Sequence, residues 1–168
     1  MKNELRISIH RLTACGILAC VYAVLTIATA AFAYGPIQFR IAEALCILPF
    51  FVPWSIWGLT MGCVLANLFS TVSALDVVVG TAATLLAAFL TSRCRKPWLA
   101  PLPPVICNAV FVGALIAATG MPEAFWEGFW LFALQVGAGE LAVMYLLGLP
   151  LLLTLKRQGL GERLRSIP

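Results

Sequence analysis

The chain has 168 residues, of which 62% are apolar and 11% charged, and a formal net charge of +4. Soluble domains run nearer about 45–50% apolar and about 25% charged, so these proportions exclude a water-soluble globular fold and imply an integral membrane protein. The positive balance is no footprint for nucleic acid either, because no basic groove interleaved with aromatics accompanies it.

Charge-free runs mark the spanning segments. Residues 12–39, 44–75, 77–92 and 97–122 carry no charge, and after Glu127 only Glu140 interrupts the run to Leu155. A bilayer core about 30 Å thick takes about 20 apolar residues per helix. The first helix is predicted at about 12–33. Its basic leader and Ala31-Phe32-Ala33 imitate a cleaved signal peptide, but the run exceeds the usual core of roughly 7–15 residues and is kept as a span. Pro49 and Pro53 break the next run, because proline lacks an N–H donor and clashes with the preceding turn. Helices at about 41–52 and 55–73 result, the former short at about 18 Å by helical rise. Further helices follow at about 76–92, 105–119 and 127–155, the last long and tilted. The whole of 1–168 reads as one transmembrane domain, with no soluble domain at either end.

Ten of the eleven Lys and Arg residues fall into three clusters: Lys2/Arg6/Arg11, Arg93/Arg95/Lys96 and Lys156/Arg157/Arg163/Arg165. The positive-inside rule places all three in the cytoplasm, with both termini, so an even number of spans separates neighbouring clusters. Six spans satisfy this. The outer loops are then 34–40, 71–76 and 120–127. The outer half collects one cation, Arg40, and four anions, Glu43, Asp76, Glu123 and Glu127, a net charge of −3.

Much chemistry is missing. The single histidine, His10, lies in the basic leader and reads as solvated or interfacial, which leaves no His-rich metal cluster. Cysteines 15, 20, 46, 63, 94 and 107 contain no Cys-x-x-Cys pair and read as small hydrophobes. A P-loop lysine follows glycine, whereas the lysines here follow Met1, Arg95 and Leu155. No Ser-His-Asp set is visible. Neither an enzyme nor a cofactor is expected.

Polar residues inside spans are costly, about 2.5–3.5 kcal/mol each for charged groups on insertion scales, and are candidates for function. Glu140, in Gln135-Val-Gly-Ala-Gly-Glu140, is the leading one; it either contacts a ligand or is bonded to a neighbouring helix. Arg40 and Glu43, three apart, form either an ion pair within one helix or, with Gln38, the lining of an outward cavity. Asp76 is a pocket residue or the N-cap of the fourth helix. Asn67 lies at the depth of an outer pocket, or joins helices, and Asn108 reads as structural. Small residues every fourth position, Cys15/Ala19/Ala23 and Gly58/Gly62/Ala66, let backbones approach within the bundle or against another protein. Tyr22, Trp54, Trp57, Trp98, Trp126 and Trp130 read as interfacial aromatics, with Trp126 and Trp130 alternatively lidding a flat ligand.

The stretch Tyr34-Gly-Pro-Ile-Gln-Phe-Arg-Ile-Ala-Glu-Ala-Leu-Cys-Ile-Leu-Pro49 resembles the signature of the QueT family. Gly58-Leu-Thr-Met-Gly-Cys-Val-Leu-Ala-Asn-Leu68, Leu75-Asp-Val-Val-Val-Gly80, Gly139-Glu-Leu-Ala142 and Gly148-Leu-Pro150 are similar to its later motifs, in order along residues 12–155. The resemblance implies an S component of an energy-coupling-factor (ECF) importer in a prokaryotic plasma membrane, a six-helix bundle with both termini inside. It implies capture of a queuosine precursor, a flat deazaguanine base, and partnership with a transmembrane coupling subunit and two ATPase subunits. It also implies docking on that coupling subunit through Ala19 and Ala23. Ala42-Glu43 departs from the Ser-Glu of the family pattern and removes one hydroxyl contact. Two other classes stay open: a carrier or S component for another nutrient, and a membrane assembly protein without transport.

Overall fold

A computed structural model describes residues 9–33, 38–70 and 74–166, apart from the Phe32 side chain. Lys2, Arg6 and parts of the first two predicted outer loops, 34–37 and 71–73, lie outside the described residues. The rest is helical, with no strand among the described residues. The helices are α1 (Ile9–Ala28), α2 (Ala30–Ala33), a 3-10 helix (Ile41–Phe50), α3 (Ser55–Asn67), α4 (Asp76–Arg93), α5 (Leu102–Gly120), α6 (Phe125–Val143), α7 (Leu149–Arg157) and α8 (Leu160–Arg165).

Four stretches are long and apolar enough to cross a membrane: Ile9–Ala28, Asp76–Arg93, Pro97–Gly120 and Pro122–Arg157. Two shorter apolar helices, Ile41–Phe50 and Ser55–Asn67, lie between the first and second of these. The chain is thus a multi-pass membrane protein whose lipid-facing surface carries Ile17, Val24, Val78, Phe89, Leu134 and Leu146, all exposed.

Several predicted elements change character. The second is a 3-10 helix of 10 residues with Pro49 inside it. At about 2.0 Å rise per residue it reaches about 20 Å, and it stacks every third residue on one face. Arg40 at its cap and then Glu43, Cys46 and Pro49 form that buried stripe. The third helix ends at Asn67 rather than near residue 73. The fifth begins at Leu102 rather than 105, because Pro103 and Pro104 sit in its first turn, where the missing N–H groups are not needed. The last predicted helix is two α-helices joined by a π-helical turn, Met144–Gly148. Pro150 follows two residues later and offers no donor to the ladder, so the wider turn carries the chain past it.

Small residues set the two closest helix pairs. A Cβ on Gly62 would lie 2.8 Å from Tyr22 Cβ and 2.9 Å from the Ala19 carbonyl, and one on Gly58 would lie 2.9 Å from the Cys15 carbonyl. The two small-residue stripes therefore meet each other, with Ala19 and Ala23 buried at the α1–α3 seam. Gly113 of α5 approaches Ala133 of α6 equally closely, at 2.8 Å from a built Cβ. Between these pairs a core of Tyr22, Ala42, Cys46, Leu59, Cys63, Ala66 and Ala88 packs around the 3-10 helix.

Candidate functional site

The 3-10 stripe organises the polar interior. Arg40 is extended (φ −87°, ψ 90°) and its carbonyl accepts from the Glu43 N–H at 2.9 Å, starting the helix. The same three-residue step brings the side chains into register. Arg40 Nη1 lies 3.8 Å from Glu43 Oε1, and the Cys46 thiol donates to Glu43 Oε2 at 3.0 Å. Tyr22 of α1 donates its hydroxyl to Glu43 Oε1. All four side chains are buried.

Arg40 also crosses to α4, where its Nη2 is 3.8 Å from Asp76 Oδ2. The N-cap reading of Asp76 is corrected: Leu75 caps α4 without a side-chain bond, and Asp76 is its first residue. Its carboxylate faces inward, accepting from Ser70 Oγ at 2.7 Å, while remaining at the positive end of the helix dipole. Asn67 Nδ2 donates to the Asp76 carbonyl at 3.0 Å and to Cys63 Sγ at 3.3 Å, so it does join helices. Cys63 Sγ further pairs with Thr84 Oγ1 at 3.2 Å and accepts a long contact from Arg40 Nη1 at 3.9 Å.

Glu140 forms the opposite pole, on α6. Its Oε1 accepts from Asn108 Nδ2 of α5 at 2.7 Å, and it lies within Coulombic reach of Glu43 and Arg40. Glycine beside it serves the backbone: a Cβ on Gly139 would overlap the Gln38 carbonyl, so the extended segment before Arg40 runs directly against α6. All six residues singled out by sequence, Gln38, Arg40, Glu43, Asn67, Asp76 and Glu140, are buried, and bonds join Arg40, Glu43, Asn67 and Asp76 to one another directly or through Cys63. Ala19 and Ala23 lie apart from it. Ala19 forms part of the wall of a groove of about 500 Å³ between α1 and α3, with Arg11, Cys15, Trp57, Gly58 and Met61.

Two features of the cluster bear on its chemistry. Gln38 Nε2, Asn67 Oδ1, Asp76 Oδ1 and Glu140 Oε2 are buried with no hydrogen-bond partner among the described residues. Leaving such an atom unmade costs about 1–3 kcal/mol, more for charged groups. In addition, the Arg40 guanidinium lies 3.8 Å from the carboxylates of Glu43 and Asp76, and Glu140 adds a third buried carboxylate. The site therefore holds unmatched acceptors beside the Gln38 donor, with more carboxylates than cations among the described residues.

Sequence reasoning missed Tyr22, Cys46, Cys63 and Thr84, while Asn108, read as structural, joins α5 to α6 through Glu140. Tyr22 is no interfacial aromatic: it is fully buried, whereas Trp57, Trp98, Trp126 and Trp130 are exposed. A tyrosine midway along a span needs a partner for its hydroxyl, and that was the available signal. Tyr22→Phe leaves Glu43 one donor short. Bonds to charged groups contribute about 1.5–3 kcal/mol, so the variant is expected to lose about that much stability. Denaturant unfolding in one detergent measures it; an unchanged midpoint would make the Tyr22–Glu43 bond dispensable.

Against known proteins, the model of the QueT transporter family matches residues 12–157. The chain belongs to the QueT transporter family. Within it, the match takes in every helix that supplies the buried cluster. A curated relative, the queuosine precursor transporter QueT of Lactococcus lactis subsp. cremoris, is 41% identical over 71 residues. That alignment covers 41% of this chain and 41% of the relative. No solved structure matches.

Proposed function

We propose that this QueT-family protein is the substrate-binding S component of an ECF-type importer and that it binds a queuosine precursor, a deazaguanine-type base. The observation that carries this reading is the buried cluster of unpartnered acceptors, Asn67 Oδ1, Asp76 Oδ1 and Glu140 Oε2, beside an excess of carboxylates. A guanine-like edge presents N–H donors, which is the complement these oxygens lack. Gln38 Nε2 supplies a donor for a ring nitrogen or carbonyl, and Arg40 holds Glu43 and Asp76 in position. The relative's name adds the substrate class.

In this reading the 3-10 helix and α3 complete six spans, and both termini face the cytoplasm of a prokaryotic cell at its plasma membrane. The coupling subunit meets α1 at the groove walled by Ala19, with Ala23 in the seam beneath, and two ATPase subunits drive the cycle. The runner-up is a carrier or S component for another nutrient; nothing in the cluster demands a purine-like ring over another donor-rich molecule.

One set of measurements tests all of this. The purified chain is expected to bind a deazaguanine precursor in a calorimetric titration and to co-purify with a coupling subunit. Cysteines placed at Glu123 and Lys96 are expected to label from opposite sides of the membrane. Absence of binding sinks the substrate assignment, absence of a coupling subunit leaves a solitary carrier, and same-side labelling breaks the six-span topology.

A further inference from the structure

The C-terminal end of the bundle is folded back on itself. Gly159, at φ +66°, is the left-handed residue that reverses the chain between α7 and α8. Few other residues adopt that conformation without strain. The turn lays α8 over the end of the 3-10 helix. A Cβ on Gly161 would come within 2.5 Å of the Phe51 ring, so the approach needs glycine there too. Phe50 and Phe51 stand edge to face, 5.2 Å apart at 89°, as the floor beneath it.

This hairpin encloses a cleft of about 320 Å³ lined by Phe50, Phe51, Lys156, Glu162 and Arg165. Lys156 and Arg165 make no ion pair among the described residues, so the cleft has two unengaged cations against one acid. A second groove of about 250 Å³ is lined by Ala14, Ile17, Val21, Leu48, Val52 and, from α8, Leu164 among others. Consecutive residues line the two: Leu164 the apolar groove and Arg165 the cleft, Val52 the groove and Phe51 the cleft.

We propose that this cleft and groove together seat an anionic phospholipid, its phosphate between Lys156 and Arg165 and an acyl chain along the α1 face of the groove. Cation recognition selects the phosphate, since guanidinium and ammonium groups pair with its oxygens. The apolar groove selects a lipid over a free anion, which has no use for it. Neither part touches the buried cluster, so the site stands independently of substrate binding.

Native mass spectrometry of the full chain, released from detergent with added phosphatidylglycerol or phosphatidylcholine of matched acyl chains, tests it. One phosphatidylglycerol is expected to be retained, at least about 10-fold tighter than phosphatidylcholine. Lys156→Gln with Arg165→Gln is expected to abolish the preference. Arg157→Gln with Arg163→Gln, the same charge change outside the cleft, is expected to leave it. Equal retention of the two lipids would overturn the proposal, and so would equal loss in both double variants, which reduces it to general attraction. Inorganic phosphate displacing the lipid at millimolar concentration would overturn the lipid assignment in favour of a free anion. Should the first double variant fail to purify, Arg165→Gln alone serves, with at least a threefold loss expected and an unchanged preference counting against the seat.

Discussion

Arg40→Met is expected to lower the stability of the protein by about 3–5 kcal/mol, the range found when one partner of a buried ion pair is removed. That is a large share of the roughly 5–15 kcal/mol by which native proteins exceed their unfolded states. The physical reason is that Arg40 serves two carboxylates on different elements, Glu43 within the 3-10 helix and Asp76 on α4, each at 3.8 Å. Without the guanidinium both acids are stranded in a low-dielectric interior, and the Tyr22, Cys46 and Ser70 bonds alone must hold them. Adding Asp76→Asn removes one stranded charge and is expected to restore part of the loss. The coupling between two residues in one network is typically about 0.5–3 kcal/mol. Arg40→Lys is expected to fall between, because a compact ammonium cannot reach two acceptors as a planar fork does. Denaturant unfolding followed by tryptophan fluorescence of these three variants and of Asp76→Asn alone supplies the four values; strictly additive losses would mean that Arg40 and Asp76 act separately.

The charged members of that network were readable because charge in a span is rare. Arg40, Glu43, Asp76 and Glu140 announce themselves against long apolar runs, and each is buried. What they touch was not readable. Arg40 and Asp76 are 36 positions apart, and their pairing depends on α3 folding back to set α4 beside the 3-10 helix. The 3-10 geometry itself was hidden, since a spacing of three places Arg40 and Glu43 on one face of an α-helix as well. Only the continuation to Cys46 and Pro49 distinguishes the two periods, and Cys46 reads as a plain hydrophobe.

Asn108 keeps the structural role read for it, but at another depth. Starting α5 near residue 105 puts Asn108 in its first turn; the true start at Leu102 sets it three residues further along the helix, level with Glu140. Prolines 103 and 104 signal a helix start as readily as a break, and that choice decided the residue's depth. Tyr22 failed because aromatic position along a span was weighed without the need of its hydroxyl. Gly139 held the reverse ambiguity. The space beside it suits a ligand or a backbone, and the Gln38 segment fills it.

Glu140→Gln is expected to weaken substrate binding by roughly 10- to 150-fold, the equivalent of about 1.5–3 kcal/mol for a hydrogen bond to a charged group. The geometry makes this substitution unusually informative. Oε1 is already engaged by Asn108 at 2.7 Å, and a glutamine carbonyl can accept that bond in its place. The α5–α6 contact, and with it the fold, is therefore expected to survive, because an uncharged amide is also easier to bury than a carboxylate. What changes is Oε2, which has no hydrogen-bond partner among the described residues and becomes an NH2 group. A ligand N–H that met an acceptor there would meet a donor instead. Calorimetric titration of the monodisperse variant with a deazaguanine precursor reads the difference. Unchanged affinity would confine Glu140 to joining α5 and α6, and recognition would then rest on Gln38, Arg40, Glu43, Asn67 and Asp76. Loss of affinity beyond about 150-fold, with unfolding unchanged, would mean that the ligand carries a positive charge at this pole, since a neutral donor loses less when its acceptor is replaced.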